Sequence, residues 1–473
     1  MNLPLKKSAT IVFSLFMAMA CFADIRLPKL VGSNMVLQQQ STVKIWGWAD
    51  PMEIVFVTTS WNNKTDSIVT TGDALWKISV QTPAAGGPFT ITVKGQNEII
   101  LENILIGEVW FCSGQSNMEF GYYKDIKDII EETPKAYNDH IRFFHIPKTT
   151  SLYPQDDCQG EWKICDSNSI KNSSAVGYFF GKKLNKDLNV PIGLIESSWG
   201  GTSAEVWTPE EVVSADQALT AAAQQIAETE WWPNKTAYAY NAMIAPVVNY
   251  SIAGAIWYQG ESNATTASTY SQLFTAMIDA WRRKWDKDFP FYYVQVAPFA
   301  YENHNTGALL MEAQMKSRNH KNVGMVVVSD LVNDTNDIHP QNKHDVGYRL
   351  ANWALAETYH KEGFAYKSPV YKEMNVQKGR AIISFENVLS GLQSKDKKIT
   401  QLYVAGEDKL FYPAEGKIEK DKLIVWRKGT PDPVAVRYAF GNASIGNLFS
   451  KEGLPVTAFR TDDWEVDVSA VKP

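Results

Sequence analysis

At 473 residues the chain is too long for one ordinary hydrophobic core, so two or three domains are expected. Apolar residues make up 45% and charged residues 21%, which excludes a disordered chain. The formal net charge of −6 leaves no basic excess for nucleic acid.

The first 23 residues read as an export signal. Lys6 and Lys7 form a basic start, and residues 9–20 are apolar apart from Thr10 and Ser14. Small residues follow at Ala18, Ala20 and Ala23. The stretch is short for a membrane span. Cleavage after Ala23 puts Cys21 at −3 and starts the mature chain at Asp24. A lipid anchor on Cys21 is the alternative, disfavoured because Ala18-Met19-Ala20 lacks a leading Leu. The expected location is therefore periplasmic or extracellular, with no membrane span.

Residues 24–102 alternate apolar and polar, as in Val43-Lys44-Ile45-Trp46-Gly47-Trp48 and Phe89-Thr90-Ile91-Thr92-Val93-Lys94, and predict an N-terminal β module. Residues 103–362 change character. Apolar strand runs are predicted at 104–111, 192–197, 252–258, 291–297 and 324–329, with helices at 175–186, 269–285 and 345–359. That alternation predicts a parallel sheet covered on both faces, with its site at the C-terminal strand ends. Residues 363–473 return to alternation, as in Arg380-Ala381-Ile382-Ile383-Ser384-Phe385, and predict a C-terminal β module.

Four segments follow these predicted strands. Gly114-Gln115-Ser116-Asn117 combines a glycine that permits a tight turn with a serine at a helix start, the arrangement that exposes a nucleophile beside free amides. Trp199-Gly200-Gly201-Thr202 offers a backbone amide as an oxyanion donor. Gln259-Gly260-Glu261-Ser262-Asn263 supplies side-chain amides, with Glu261 placed to orient a neighbour or bind substrate hydroxyls. Asp337-Ile338-His339-Pro340 provides a base, with Asp337 as its partner and Asp334 in reserve. A helix expected to begin at Pro340 would hold His339 neutral. Together they meet the roles needed for acyl transfer.

The remaining chemistry is sparse. Cys158 and Cys165 sit seven apart, and an oxidising compartment would let them pair. Cys112 reads as a buried filler. No Cys/His spacing suggests zinc, and neither a metal nor another cofactor is expected. Sixteen Trp and twenty Tyr suit a protein that stacks sugars, although most of these rings are expected in the core.

The blocks Gly114-Gln115-Ser116-Asn117-Met118-Glu119, Trp199-Gly200-Gly201-Thr202, Trp257-Tyr258-Gln259-Gly260-Glu261-Ser262 and Asp337-Ile338-His339-Pro340 resemble those of sialate O-acetylesterases of the SGNH-hydrolase superfamily. The resemblance implies a flavodoxin-like three-layer α/β/α catalytic domain with a parallel sheet, here flanked by N- and C-terminal β-sandwich-like modules. It implies Ser116 as nucleophile, His339 as base and Asp337 as its partner. The amides of Ser116 and Gly201 and a side chain of Gln259 or Asn263 would form the oxyanion hole. Gln115, Asn117 and Glu261 are expected to face substrate. Two departures stand out. The superfamily's acid lies three residues before the histidine, where this chain has Asn336, so a dyad helped by a backbone carbonyl or by Glu261 is an open alternative. Its Asn donor, two residues after a glycine, is replaced by Ser262, which favours Gln259. The implied substrate is an O-acetylated sialic acid. The alternatives are an acetylated plant polysaccharide such as xylan or xyloglucan, and a non-catalytic carbohydrate-binding protein.

Overall fold

The computed structural model describes residues 24–429 and 432–470, so the expected export signal lies outside the described residues. The N-terminal strands are β1 (Val36–Gln38), β2 (Thr42–Trp48), β3 (Ile54–Thr59), β4 (Lys64–Val69), β5 (Leu75–Gln81) and β6 (Gly86–Lys94). They lead into β7 (Glu98–Gly114), which runs unbroken across the position where the sequence suggests a boundary. Its first half pairs antiparallel with β6, and its middle pairs parallel with β1. Its second half is the centre of the main sheet.

The remaining strands of that sheet are β8 (Asn138–His145), β9 (Trp162–Cys165), β10 (Ile192–Ser198), β11 (Gly254–Tyr258), β12 (Phe291–Val294) and β13 (Val323–Val326). Their order is β13-β12-β11-β7-β10-β8-β9, parallel throughout except for the antiparallel edge strand β9. Period-2 alternation along β7 divides the interior. Val109 and Phe111 face one hydrophobic cluster, while Trp110 and Cys112 face the other. Helices α1 (Ala175–Leu188) and α2 (Lys343–Trp353) cover the Trp110 face, and α3 (Ala267–Trp285) and α4 (Thr306–Ser317) cover the Phe111 face. A sheet with helices on both faces must be apolar on both, which is why β11 reads as a continuous apolar run and β10 opens with one, Ile192 to Ile195.

The same two-sidedness decides the cysteines. Cys158 belongs to the Phe111-side cluster and Cys165 to the Trp110-side cluster, so the sheet separates them. Both are free thiols, which answers the question of pairing that the sequence leaves open. Burial pushes each thiol up to about 12. Cys112 is likewise free and fully buried.

Beyond residue 363, strands Val370–Gln377, Arg380–Glu386, Lys422–Trp426 and Glu415–Glu419 form one antiparallel sheet. A second is built from Tyr412–Pro413, Leu402–Ala405, Ala435–Tyr438 and Phe459–Arg460. The two sheets share a core of Ile383, Leu423, Val404 and Val436. Arg460 clamps Glu312 of α4 through two 2.9 Å bonds, tying this unit to the main sheet's helices. No helix among the described residues is long and apolar enough to cross a membrane.

Candidate active site

The four segments singled out by sequence gather at the C-terminal ends of β7, β10, β11 and beyond β13. Gly114 ends β7 at φ +141°, and a Cβ there would lie 2.2 Å from the Tyr258 carbonyl oxygen. Only glycine admits that approach. The chain then turns into a single helical turn, Ser116–Glu119, which starts on the serine. Trp199 N–H donates to the Gly114 carbonyl at 3.0 Å, and Gln115 N–H donates to the Tyr258 carbonyl at 3.0 Å. The serine is thereby gripped between the ends of β10 and β11.

Ser116 Oγ lies 3.0 Å from His339 Nε2, although 223 residues separate them in the chain. Phe120 packs on the imidazole with ring centroids 4.4 Å apart. On the ring's other side, Asp337 Oδ1 stands 3.7 Å from Nδ1 and accepts the His339 backbone N–H at 2.8 Å. Asp334 accepts from Asn336 instead and caps its own turn. His339 is held below the usual histidine range, chiefly by burial and then by the nearby positive charge of Lys343; Asp337 pulls the other way. The cause differs from the expected one, because α2 begins at Lys343, three residues after Pro340, and not beside the histidine.

The amides of Ser116 and Gly201 donate to no protein acceptor among the described residues. Gly201 has φ +81°, and a Cβ on Gly200 would stand 3.2 Å from the Ser116 Cβ. The glycine turn therefore sits against the serine with an amide to spare, the layout an oxyanion needs.

With this geometry in place, comparison with known proteins is decisive. The family model described as "Carbohydrate esterase, sialic acid-specific acetylesterase" matches residues 106–356, more than half of the chain. The chain belongs to this family. It is therefore a carboxylic ester hydrolase acting on acetylated carbohydrate. It is 28% identical to a sialate O-acetylesterase of Pongo abelii over 421 residues, covering 80% of this chain and 79% of that one. The human sialate O-acetylesterase is 27% identical with the same coverage. A crystal structure of a carbohydrate acetylesterase from Xanthomonas citri superposes with a TM-score of 0.85 at 34% identity, covering 93% of this chain and all of that one.

Several expected site residues of this esterase turn inward. Gln259 spends both amide hydrogens, on the Thr202 carbonyl at 3.2 Å and Asn263 Oδ1 at 2.8 Å. Asn263 spends both of its own on Glu205 and Thr266. Both side chains are fully buried, and in this structure their amide hydrogens are engaged by the protein. Asn117 is equally committed, donating to Glu261 Oε1 at 2.6 Å and to the Ile338 carbonyl at 3.0 Å. Glu261 is buried beside it, and its other oxygen, Oε2, has no hydrogen-bond partner among the described residues. Gln115 is buried too, its oxygen accepting from the amides of Gly260 and Ser262.

Two neighbours escaped the sequence reading. Lys343, fully buried, donates to Asn117 Oδ1 at 2.6 Å, and burial drives its ammonium down to about 7. Glu119 Oε2 accepts the Gly200 N–H at 2.6 Å while its other oxygen pairs with Lys148. The Glu119 position was legible in the motif, but its partner was not. No cluster of three or more His, Cys, Asp or Glu among the described residues is arranged to hold a metal.

Proposed function

We propose that this esterase removes acetyl groups from O-acetylated sialic acids through a serine acyl-enzyme. The observation that carries the chemistry is the 3.0 Å approach of Ser116 Oγ to His339 Nε2, beside two unbonded amides. His339, neutral at pH 7, takes the hydroxyl proton as Oγ attacks the acetyl carbonyl. The developing oxyanion is bound by the amides of Ser116 and Gly201, and loss of one such donor typically costs about 10²–10³ in rate. The imidazolium then protonates the departing sugar oxygen. Water, deprotonated by the same histidine, releases acetate. Asp337 stabilises the transient imidazolium from the Nδ1 side. The parallel sheet with helices on both faces and the site at its strand ends support an SGNH-type, flavodoxin-like catalytic domain over residues 103–362. The β units on either side are its flanking modules. The basic and apolar pattern of residues 1–23 supports export of the mature chain.

The sialic acid rests on the family and on the names of the mammalian relatives. The Xanthomonas structure, a carbohydrate acetylesterase covering 93% of this chain, leaves the sugar open, and acetylated plant polysaccharide such as xylan or xyloglucan is the second reading. Acetate release from 9-O-acetylated N-acetylneuraminic acid and from acetylated xylan decides between them by relative kcat/KM. Loss of that release by more than about 10³-fold in Ser116→Ala and in His339→Ala is the expected result. An active Ser116→Ala protein would overturn the mechanism.

A further inference from the structure

Of the sixteen tryptophans, fourteen are buried or half-buried; Trp231 is 82% exposed and Trp232 38%. The two are adjacent in an irregular segment, and the one hydrogen bond of Trp231 among the described residues runs from its backbone N–H to Thr229 Oγ1. Trp232 has a defined place. The fused edge of its indole lies where a Cβ on Gly201 would fall, 2.3–2.5 Å from that point, so the ring lies flat on the glycine. Gly201 carries the unbonded amide, and Gly200 lies against Ser116. An acetyl group seated at Ser116 with its oxygen on the Gly201 amide is therefore bound by the residue on which the Trp232 ring lies.

An exposed pair of large rings is costly in water unless a ligand covers it. A pyranose fits this surface chemically. Its axial C–H groups form an apolar face that lies on an indole, while its equatorial hydroxyls stay at the rim, within reach of donors such as an indole N–H. We propose that Trp231 and Trp232 form the sugar platform of the site, Trp232 flanking the acetyl group and Trp231 stacking on the pyranose ring that bears it. The inference rests on the serine mechanism proposed above and adds the residues that choose a sugar over a simple ester.

The test compares a sugar acetate with ethyl acetate, which has the same scissile bond and no ring. In Trp231→Ala the ratio of kcat/KM for the sugar acetate to that for ethyl acetate is expected to fall about tenfold, through KM for the sugar. Trp231→Phe restores most of the ratio because it keeps an aromatic face. An unchanged ratio, with Ser116-dependent turnover intact, overturns the platform and leaves the esterase mechanism standing. Binding decides independently of turnover. On a Ser116→Ala background, calorimetry with the methyl glycosides of N-acetylneuraminic acid and of xylose is expected to show binding of one of them, weakened about tenfold by Trp231→Ala. Equal affinity with and without Trp231, or no binding of either glycoside, overturns the proposal.

Discussion

Lys343 crosses 226 residues of chain to place its ammonium nitrogen 2.6 Å from Asn117 Oδ1, immediately behind the serine. The other end of that amide holds Glu261 and the carbonyl of Ile338, the residue before His339. One buried amide thus fixes the backbone on both sides of the Ser–His pair, and the lysine fixes the amide. The positive charge also depresses the histidine. In Lys343→Met that charge is gone, so the acid limb of the kcat/KM profile, expected below pH 6.5 in the parent, moves to higher pH. A pH–rate series with ethyl acetate reads the shift. An acid limb that stays put would mean Lys343 acts through packing alone.

The same lysine predicts a pH dependence of stability. Burial drives its folded-state pKa down to about 7 from an ordinary 10.5. Between those values the unfolded chain holds a proton that the folded chain lacks, so this group makes stability rise with pH, by up to about 1.4 kcal/mol per pH unit. Urea denaturation midpoints from pH 7 to 10 are expected to climb less steeply in Lys343→Met than in the parent. Parallel slopes would show that the folded protein keeps Lys343 charged across this range.

Glu119 anchors the oxyanion turn by accepting the Gly200 N–H. Glu119→Ala removes that acceptor and lets the turn drift from Ser116. We expect kcat for ethyl acetate to fall about tenfold, in line with loss of alignment at an oxyanion donor. Glu119→Gln keeps an acceptor oxygen and should recover most of the rate. Equal loss in both variants would instead assign the effect to the Lys148 ion pair.

Gly201 is predicted to tolerate no side chain. At φ +81° an alanine pays roughly 1–2 kcal/mol in backbone strain, and its Cβ meets the Trp232 ring. Gly201→Ala should lower kcat/KM at least 10²-fold while circular dichroism remains that of the parent. A variant within threefold of parental activity would remove the Gly201 amide from the oxyanion hole.

The parts of this site legible in sequence are those tied to local rules. A glycine-serine turn after an apolar run marked Ser116, and a histidine in the loop beyond the last such run marked His339. The buried strands were readable because both faces are covered. β8 was not, since Arg142 sits mid-strand and is buried only by bonding Asp139, Asn34 and Asn103. The inward turn of Gln259, Asn263 and Asn117 was equally hidden. An amide's local sequence is the same whether it faces a ligand or a neighbouring strand end, and only the assembled sheet decides. Lys343 reads as an ordinary first-turn helix residue, and its burial depends on partners more than 80 residues away. Cys158 and Cys165 are close in sequence, but the sheet divides them.

Asp337 gives the sharpest separation of roles. Its Oδ1 accepts the His339 N–H at 2.8 Å and stands 3.7 Å from Nδ1, so it shapes the loop and places a negative charge near the ring. Asp337→Asn keeps an acceptor for the backbone and loses only the charge. Because that charge raises the histidine's pKa, its removal should carry the acid limb to lower pH, opposite to the shift in Lys343→Met. The rate should fall about tenfold, as the imidazolium loses its stabilising partner, and far less than in His339→Ala. Asp337→Ala, which gives up the backbone acceptor as well, should fall further. If Asp337→Asn matched the parent in both rate and acid limb while Asp337→Ala did not, the carboxylate would be a loop cap, and Ser116 with His339 would work as a dyad.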